Sequence, residues 1–225
     1  LLLSFYNRGE RAQEAYESVL SLVDEVTERG LTQRDATRII SEHVSRSDHA
    51  ARIFEVALHS LFQVKEDNSG LPLGYELKPL TQMRSANKKH GNIGDLEVVA
   101  QDAEGRPRIR EAWDAKYGLR DLATEIKEVG DKLSNHPETE TVGLITSETH
   151  TASSDEIIEG IESRHDVDFQ LIDFESFVRA QFEESEDHLS PEDWIVAYAE
   201  SLCQQRRDRA PIDEPTREWV ESLGE

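Results

Sequence analysis

The chain has 225 residues, room for one sizeable core with a small appended region, and its net charge is −22 from 47 acidic against 25 basic residues. Cys203 is the sole cysteine, which excludes an intramolecular disulfide and a cysteine-based zinc site. No stretch approaches the roughly 20 apolar residues of a membrane helix and nothing resembles a signal peptide, so a cytoplasmic protein with no membrane role is expected; the Leu1-Leu2-Leu3 start suggests a trimmed fragment.

The basic residues are mostly arginine, 18 against seven lysines. A lysine-poor acidic surface suits molar salt, where a Debye length of about 3 Å screens repulsion among carboxylates. A halophilic host is therefore preferred to a role as an acidic interaction protein or nucleic-acid mimic, which stays open as an alternative. Residues 78–120 break the trend with nine Lys/Arg against six Asp/Glu, a local net of +3 that points to an anionic ligand.

In chain order, Ala12, Ala15, Tyr16, Val19, Leu22, Val23 and Val26 predict a helix over 10–29, stopped by Gly30. Thr32 with Asp35 predicts a capped second helix to about Val44. A third helix opens near Ser47 and carries Ala50, Phe54, Ala57, Leu58, Leu61 and Phe62 as an apolar stripe, with Glu55 at its edge. This helix pair reads as core packing rather than a DNA-binding helix-turn-helix, because the second helix has little basic character at its start. Tyr75–Leu80 is a possible short strand, and Ile93–Ala100 and Arg108–Tyr117 are predicted strands joined by the turn-like residues 102–107. A helix over Leu122–Leu133, a buried strand over Thr141–Thr146, a helix from Asp155 to about Ser163 and a strand over Phe169–Asp173 follow. Ser190-Pro191 starts a last helix with Trp194, Ile195, Tyr198 and Leu202. The order predicts an α/β fold with a mixed central sheet flanked by helices. It divides into a helical region at 1–45, a core at 46–180 and a helical segment at 181–225.

The hairpin brings chemistry together. With its turn centred between Glu104 and Gly105, partners sum to 209 and Asp95 lies opposite Asp114, with β-carbons roughly 5 Å apart. Alternation puts Lys116 on the Asp114 face and Trp113, Ala115 and Tyr117 on the other. Two such carboxylates favour a cation between them. With a main-chain carbonyl they suit octahedral Mg²⁺, which lowers the pKa of bound water, while the lysine orients water and stabilises an oxyanion. An ordinary exposed ion pair is the plainer reading of Asp114 and Lys116. Glu97, on the Asp95 face and opposite Ala112, is a rival ligand.

Gly94-Asp95 followed by Asp114-Ala115-Lys116 resembles the PD…(D/E)xK motif of the restriction-endonuclease-like superfamily. With Arg52-Ile53-Phe54-Glu55 and the run from Met83 to Asp95, the chain also looks like the SacI family of type II restriction enzymes. Two departures stand out: Gly94 replaces the motif proline, and Asp114 the commoner glutamate. The resemblance covers residues 45–150. It implies a restriction-endonuclease-like core, Mg²⁺ as cofactor and double-stranded DNA as substrate. It also implies a homodimer for palindromic sites, with Glu55 completing the metal site. Arg84, Asn87, Lys88, Lys89 and His90 stand just before the metal strand as candidate DNA contacts, Asn87 being able to read an adenine edge. A catalytically silent DNA-binding module on the same fold is the second alternative. The remaining histidines are scattered and have no assigned role.

Overall fold

The computed structural model describes residues 17–211 apart from 19, 22, 26, 29, 81–90, 119–120, 149–153, 186 and 204. Its elements are α1 (Gln33–Arg46), α2 (Ala50–Asp67), β1 (Tyr75–Leu77), β2 (Leu96–Gln101), β3 (Pro107–Lys116), α3 (Leu122–Leu133), β4 (Thr141–Thr146), α4 (Asp155–His165), β5 (Asp168–Asp173), α5 (Phe174–Glu184) and α6 (Pro191–Leu202). Helical residues between 17 and 28 precede them and end at Gly30, whose φ of 79° suits a residue without a β-carbon.

The strands form one sheet in chain order. β1–β2 and β2–β3 are antiparallel, and β3–β4 and β4–β5 are parallel. The short connection after β2 permits a hairpin, whereas the parallel pairs need the helical crossovers α3 and α4. The result is the expected mixed α/β sheet flanked by helices.

Alternation along β3 divides the core between two layers. Trp113 and Ala115 face a cluster built from α1, α2, α5 and α6, in which Phe54, Phe62, Phe177, Trp194 and Tyr198 are fully or nearly fully buried. Ala112 and Ile109 face a second cluster with Leu122, Ile126, Val129 and Leu133 of α3 and Ile161 of α4. Gly143 of β4 pairs with Trp113, and a β-carbon there would collide with the indole ring, so the absence of a side chain is what lets Trp113 lie across the sheet.

Helix starts follow local chemistry. Thr32 and Asp35 form a full capping box at α1, and Ser190 caps α6 with Pro191 at its first position. Residues 174–184, for which the sequence reading names no element, form α5. Asp173 caps it by accepting from the Ser176 N–H at 3.0 Å, and Phe174, Phe177, Val178 and Gln181 make its buried face. The third helix begins at Ala50, later than expected, because Ser47 closes α1 and its hydroxyl accepts from the His49 N–H.

Candidate active site

The functional side chains gather where β2 and β3 stop pairing. The β2–β3 ladder sums to 209 from Leu96↔Trp113 to Val98↔Glu111, then shifts by one to Val99↔Ile109. The turn is therefore centred one half-residue earlier than the sequence reading had it. Arg110 is the extra residue, and the bulge around it restores the register that sets Asp95 toward Asp114.

Asp95 was expected on a strand from Ile93, yet it lies in a bend just before β2. That bend is held from three sides. The Ile93 and Gly94 N–H groups donate to Glu97 Oε1 at 2.6 and 3.4 Å, and Lys132 of α3 donates to the Ile93 carbonyl at 2.7 Å. Gly94 lies against β3 so closely that a β-carbon would stand 2.5 Å from the Trp113 carbonyl oxygen. A proline carries that carbon, so this close approach explains why glycine occupies the position. Held this way, Asp95 Oδ2 accepts from the Ala115 N–H at 3.2 Å, beyond the end of the β2 ladder.

Asp114 is buried, and its carboxyl is pushed up to about 7. Burial is the main cause, followed by the Asp95 charge and a hydrogen bond with Asp95; Lys116 opposes them. The two carboxyls thus meet, and each disfavours the charge of the other. Lys116 Nζ lies 2.9 Å from Asp114 Oδ2 and 2.7 Å from Glu125 Oε2. Burial disfavours its charge, but these carboxylates outweigh it and the ammonium is held more firmly than in water.

Of the residues singled out from the sequence, Asp95, Asp114 and Lys116 come together. Glu55 forms an ion pair with Arg52 on α2, the helix whose apolar residues pack in the layer that Trp113 and Ala115 face. Glu97 is buried as a brace for the bend and is also paired with Lys78. Among the described residues no three His, Cys, Asp or Glu gather as a metal-holding group. Mg²⁺ keeps several waters and needs only one or two protein carboxylates, so the Asp95–Asp114 pair still fits it. Arg84, Asn87, Lys88, Lys89 and His90 lie outside the described residues.

Glu125 is the residue the sequence reading missed. Its signal was an acid in the first turn of the helix following Asp114-Ala115-Lys116, with Asp121 as N-cap fixing where that turn points. The basic stretch also reads differently in three dimensions. Lys78, Arg106, Arg108, Arg110 and Lys116, its described cations, all pair with nearby acids.

No protein-family model matches the sequence, and a search of curated proteins finds no relative. Among solved structures the chain is similar to the pre-specific restriction endonuclease BsaWI in its DNA complex. The identity is 13% and the TM-score 0.32, over 76% of this chain and 74% of that one. At that level the likeness assigns no role to any residue. Among the described residues no helix is long and apolar enough to cross a membrane.

Proposed function

We propose that the chain is a Mg²⁺-dependent endonuclease that hydrolyses DNA phosphodiesters, of the type II restriction kind, and that it works as a homodimer on short palindromic sites in a salt-rich cytoplasm. The observation that carries this reading is the buried Asp114 carboxyl set against Asp95, whose charge helps push it up, while Lys116 is clamped beside it. A structural ion pair would need only one carboxylate. A second acid pressed against the first is costly unless something cationic sits beside both.

Asp95 and Asp114 would hold the ion, which when bound supplies a water of lowered pKa and positive charge beside the scissile phosphate. Lys116 then presents N–H donors to the developing charge on the phosphate and to the attacking water. The bend at Ile93–Asp95 keeps the first carboxylate aimed at β3 without waiting for substrate. Arg84, Asn87, Lys88, Lys89 and His90, which come just before the bend in sequence, would contact the DNA. Glu55, whose Oε2 pairs with Arg52, would support the ion directly or through water.

The test is plasmid cleavage with Mg²⁺ in molar salt, comparing the parent with Asp114→Ala and Lys116→Ala. Discrete fragments from the parent, absent with both variants, support the reading. Intact plasmid with every divalent cation, alongside retained DNA binding, replaces it with a silent DNA-binding module.

A further inference from the structure

We infer that Glu125 is the positioning residue that holds the Lys116 ammonium toward the scissile phosphate; the inference rests on the nuclease reading above. A lysine side chain has four rotatable bonds and one compact charge, so a single partner leaves it free to swing. Here Nζ is gripped from two sides by different elements, Asp114 Oδ2 on its own strand at 2.9 Å and Glu125 Oε2 on α3 at 2.7 Å. Asp114 cannot serve as a dedicated anchor, because its carboxyl is also committed to Asp95. Glu125 is the anchor outside the carboxylate pair.

The fold makes Glu125 a rigid anchor. Asp121 caps α3, accepting from the Thr124 N–H at 3.2 Å and the Thr124 hydroxyl at 2.8 Å, which sets the first turn where Glu125 sits. Leu122, Ile126, Val129 and Leu133 bury the same helix against the sheet. At the far end of α3, Lys132 grips the Ile93 carbonyl next to Asp95. One helix therefore ties both halves of the site, Glu125 to the lysine and Lys132 to the bend that carries the first aspartate. Glu125 and Lys116 are both largely but not fully buried, at 26% and 22% side-chain exposure, so their ion pair is shielded yet still reachable by substrate.

Two readouts on Glu125→Gln, Glu125→Ala and Glu125→Asp test this. The first is the single-turnover rate of Mg²⁺-dependent cleavage of a duplex containing a mapped cut site, beside duplex affinity measured in Ca²⁺. The second needs no turnover: the rate at which acetic anhydride modifies Lys116 in the metal-free protein, resolved by peptide mass spectrometry. Glu125→Gln and Glu125→Ala are expected to slow cleavage about 100-fold, the scale of an angstrom's misplacement of a catalytic group. Duplex affinity and melting temperature stay near those of the parent, Glu125→Asp recovers part of the rate, and Lys116 is acetylated several-fold faster without its anchor.

A parent that cleaves, with Glu125→Gln cleaving as fast, overturns the inference and leaves the nuclease reading standing. A rate loss matched by an equal loss of duplex affinity or of melting temperature also overturns it, since binding or folding would then be the cause. A parent that cuts nothing overturns the nuclease reading itself; Lys116 acetylation unchanged by Glu125→Gln would then remove the anchoring claim as well.

Discussion

Burial and the neighbouring Asp95 hold the Asp114 proton up to about pH 7, so the metal-free protein keeps this carboxyl at a cost to its own stability. The folded value lies above the unfolded 3.8, so the fold binds the extra proton between the two and loses stability as pH rises through about 7. Asp114→Asn should therefore stabilise the metal-free protein at pH 8 by about 2 kcal/mol while abolishing cleavage, and the gain should shrink toward pH 4. Urea unfolding at the two pH values checks this; a variant less stable than the parent at pH 8 would count against the strained pair. Gly94 is a second residue whose side chain decides the site. A β-carbon 2.5 Å from the Trp113 carbonyl forces the bend away from β3, so Gly94→Ala should lower stability by about 2 kcal/mol and weaken catalysis through Asp95. The sequence alone presents Gly94 as a departure from the motif; the close approach that demands glycine is a tertiary fact invisible to it.

At the level of elements, periodicity and capping chemistry located most of the chain. The Thr32–Asp35 box, Ser190-Pro191 and the apolar runs of β4 and α3 all sit where local rules put them. The hairpin arithmetic found Asp95 and Asp114 through a compensation it did not contain: a turn centred half a residue early, offset by the bulge at Arg110. α5 went unread because its start abuts β5 without a spacer, Asp173 serving both as the last residue of the strand and as the helix cap. Glu125 went unread because the pairing of a helix acid with a strand lysine depends on how α3 docks, which no local pattern encodes. Both features of α5 can be weighed. Asp173→Ala removes the cap and should cost about 1 kcal/mol. Phe177→Ala, which removes a ring stacked on Phe62 and edge-on to Trp113 at 4.8 Å, should cost 3–5 kcal/mol, about the range for buried aromatics. Equal effects in urea titrations would contradict the placement of Phe177 at the centre of the core.

Across the whole molecule, buried histidines set the acid limit. His43 is hydrogen-bonded to Tyr198 at 2.6 Å in the helical layer, and burial lowers its pKa to about 4. His59 lies in a chain with Gln63, Ser201 and the Lys78 carbonyl. Burial lowers it to about 4 as well, opposed by the Lys78 carbonyl and aided by Arg209 and Arg52. Between pH 6.5 and 4 the unfolded chain takes up these two protons and the folded chain does not, so stability falls as pH falls through that window. Asp114 opposes them with a proton of opposite sign, as does Glu111, whose carboxyl burial also pushes up. Asp114→Asn removes one of those opposing protons, so its loss between pH 6.5 and 5 should exceed the parent's by about 2 kcal/mol. Urea midpoints at the two pH values read the difference; a flat profile in Asp114→Asn would mean that the imidazoles are not buried neutral.

The central claim is that Asp95 and Asp114 form a cation site and not a proton-sharing structural pair, and calorimetric titration with Mg²⁺ in buffers of different ionisation enthalpy tests it most directly. Saturable binding is predicted, lost in Asp114→Asn, with close to one proton released per ion at pH 6 and far less at pH 8, because the ion displaces the proton that Asp114 holds up to about pH 7. Binding that is absent from the parent, or that survives Asp114→Asn with no proton released, would contradict the account.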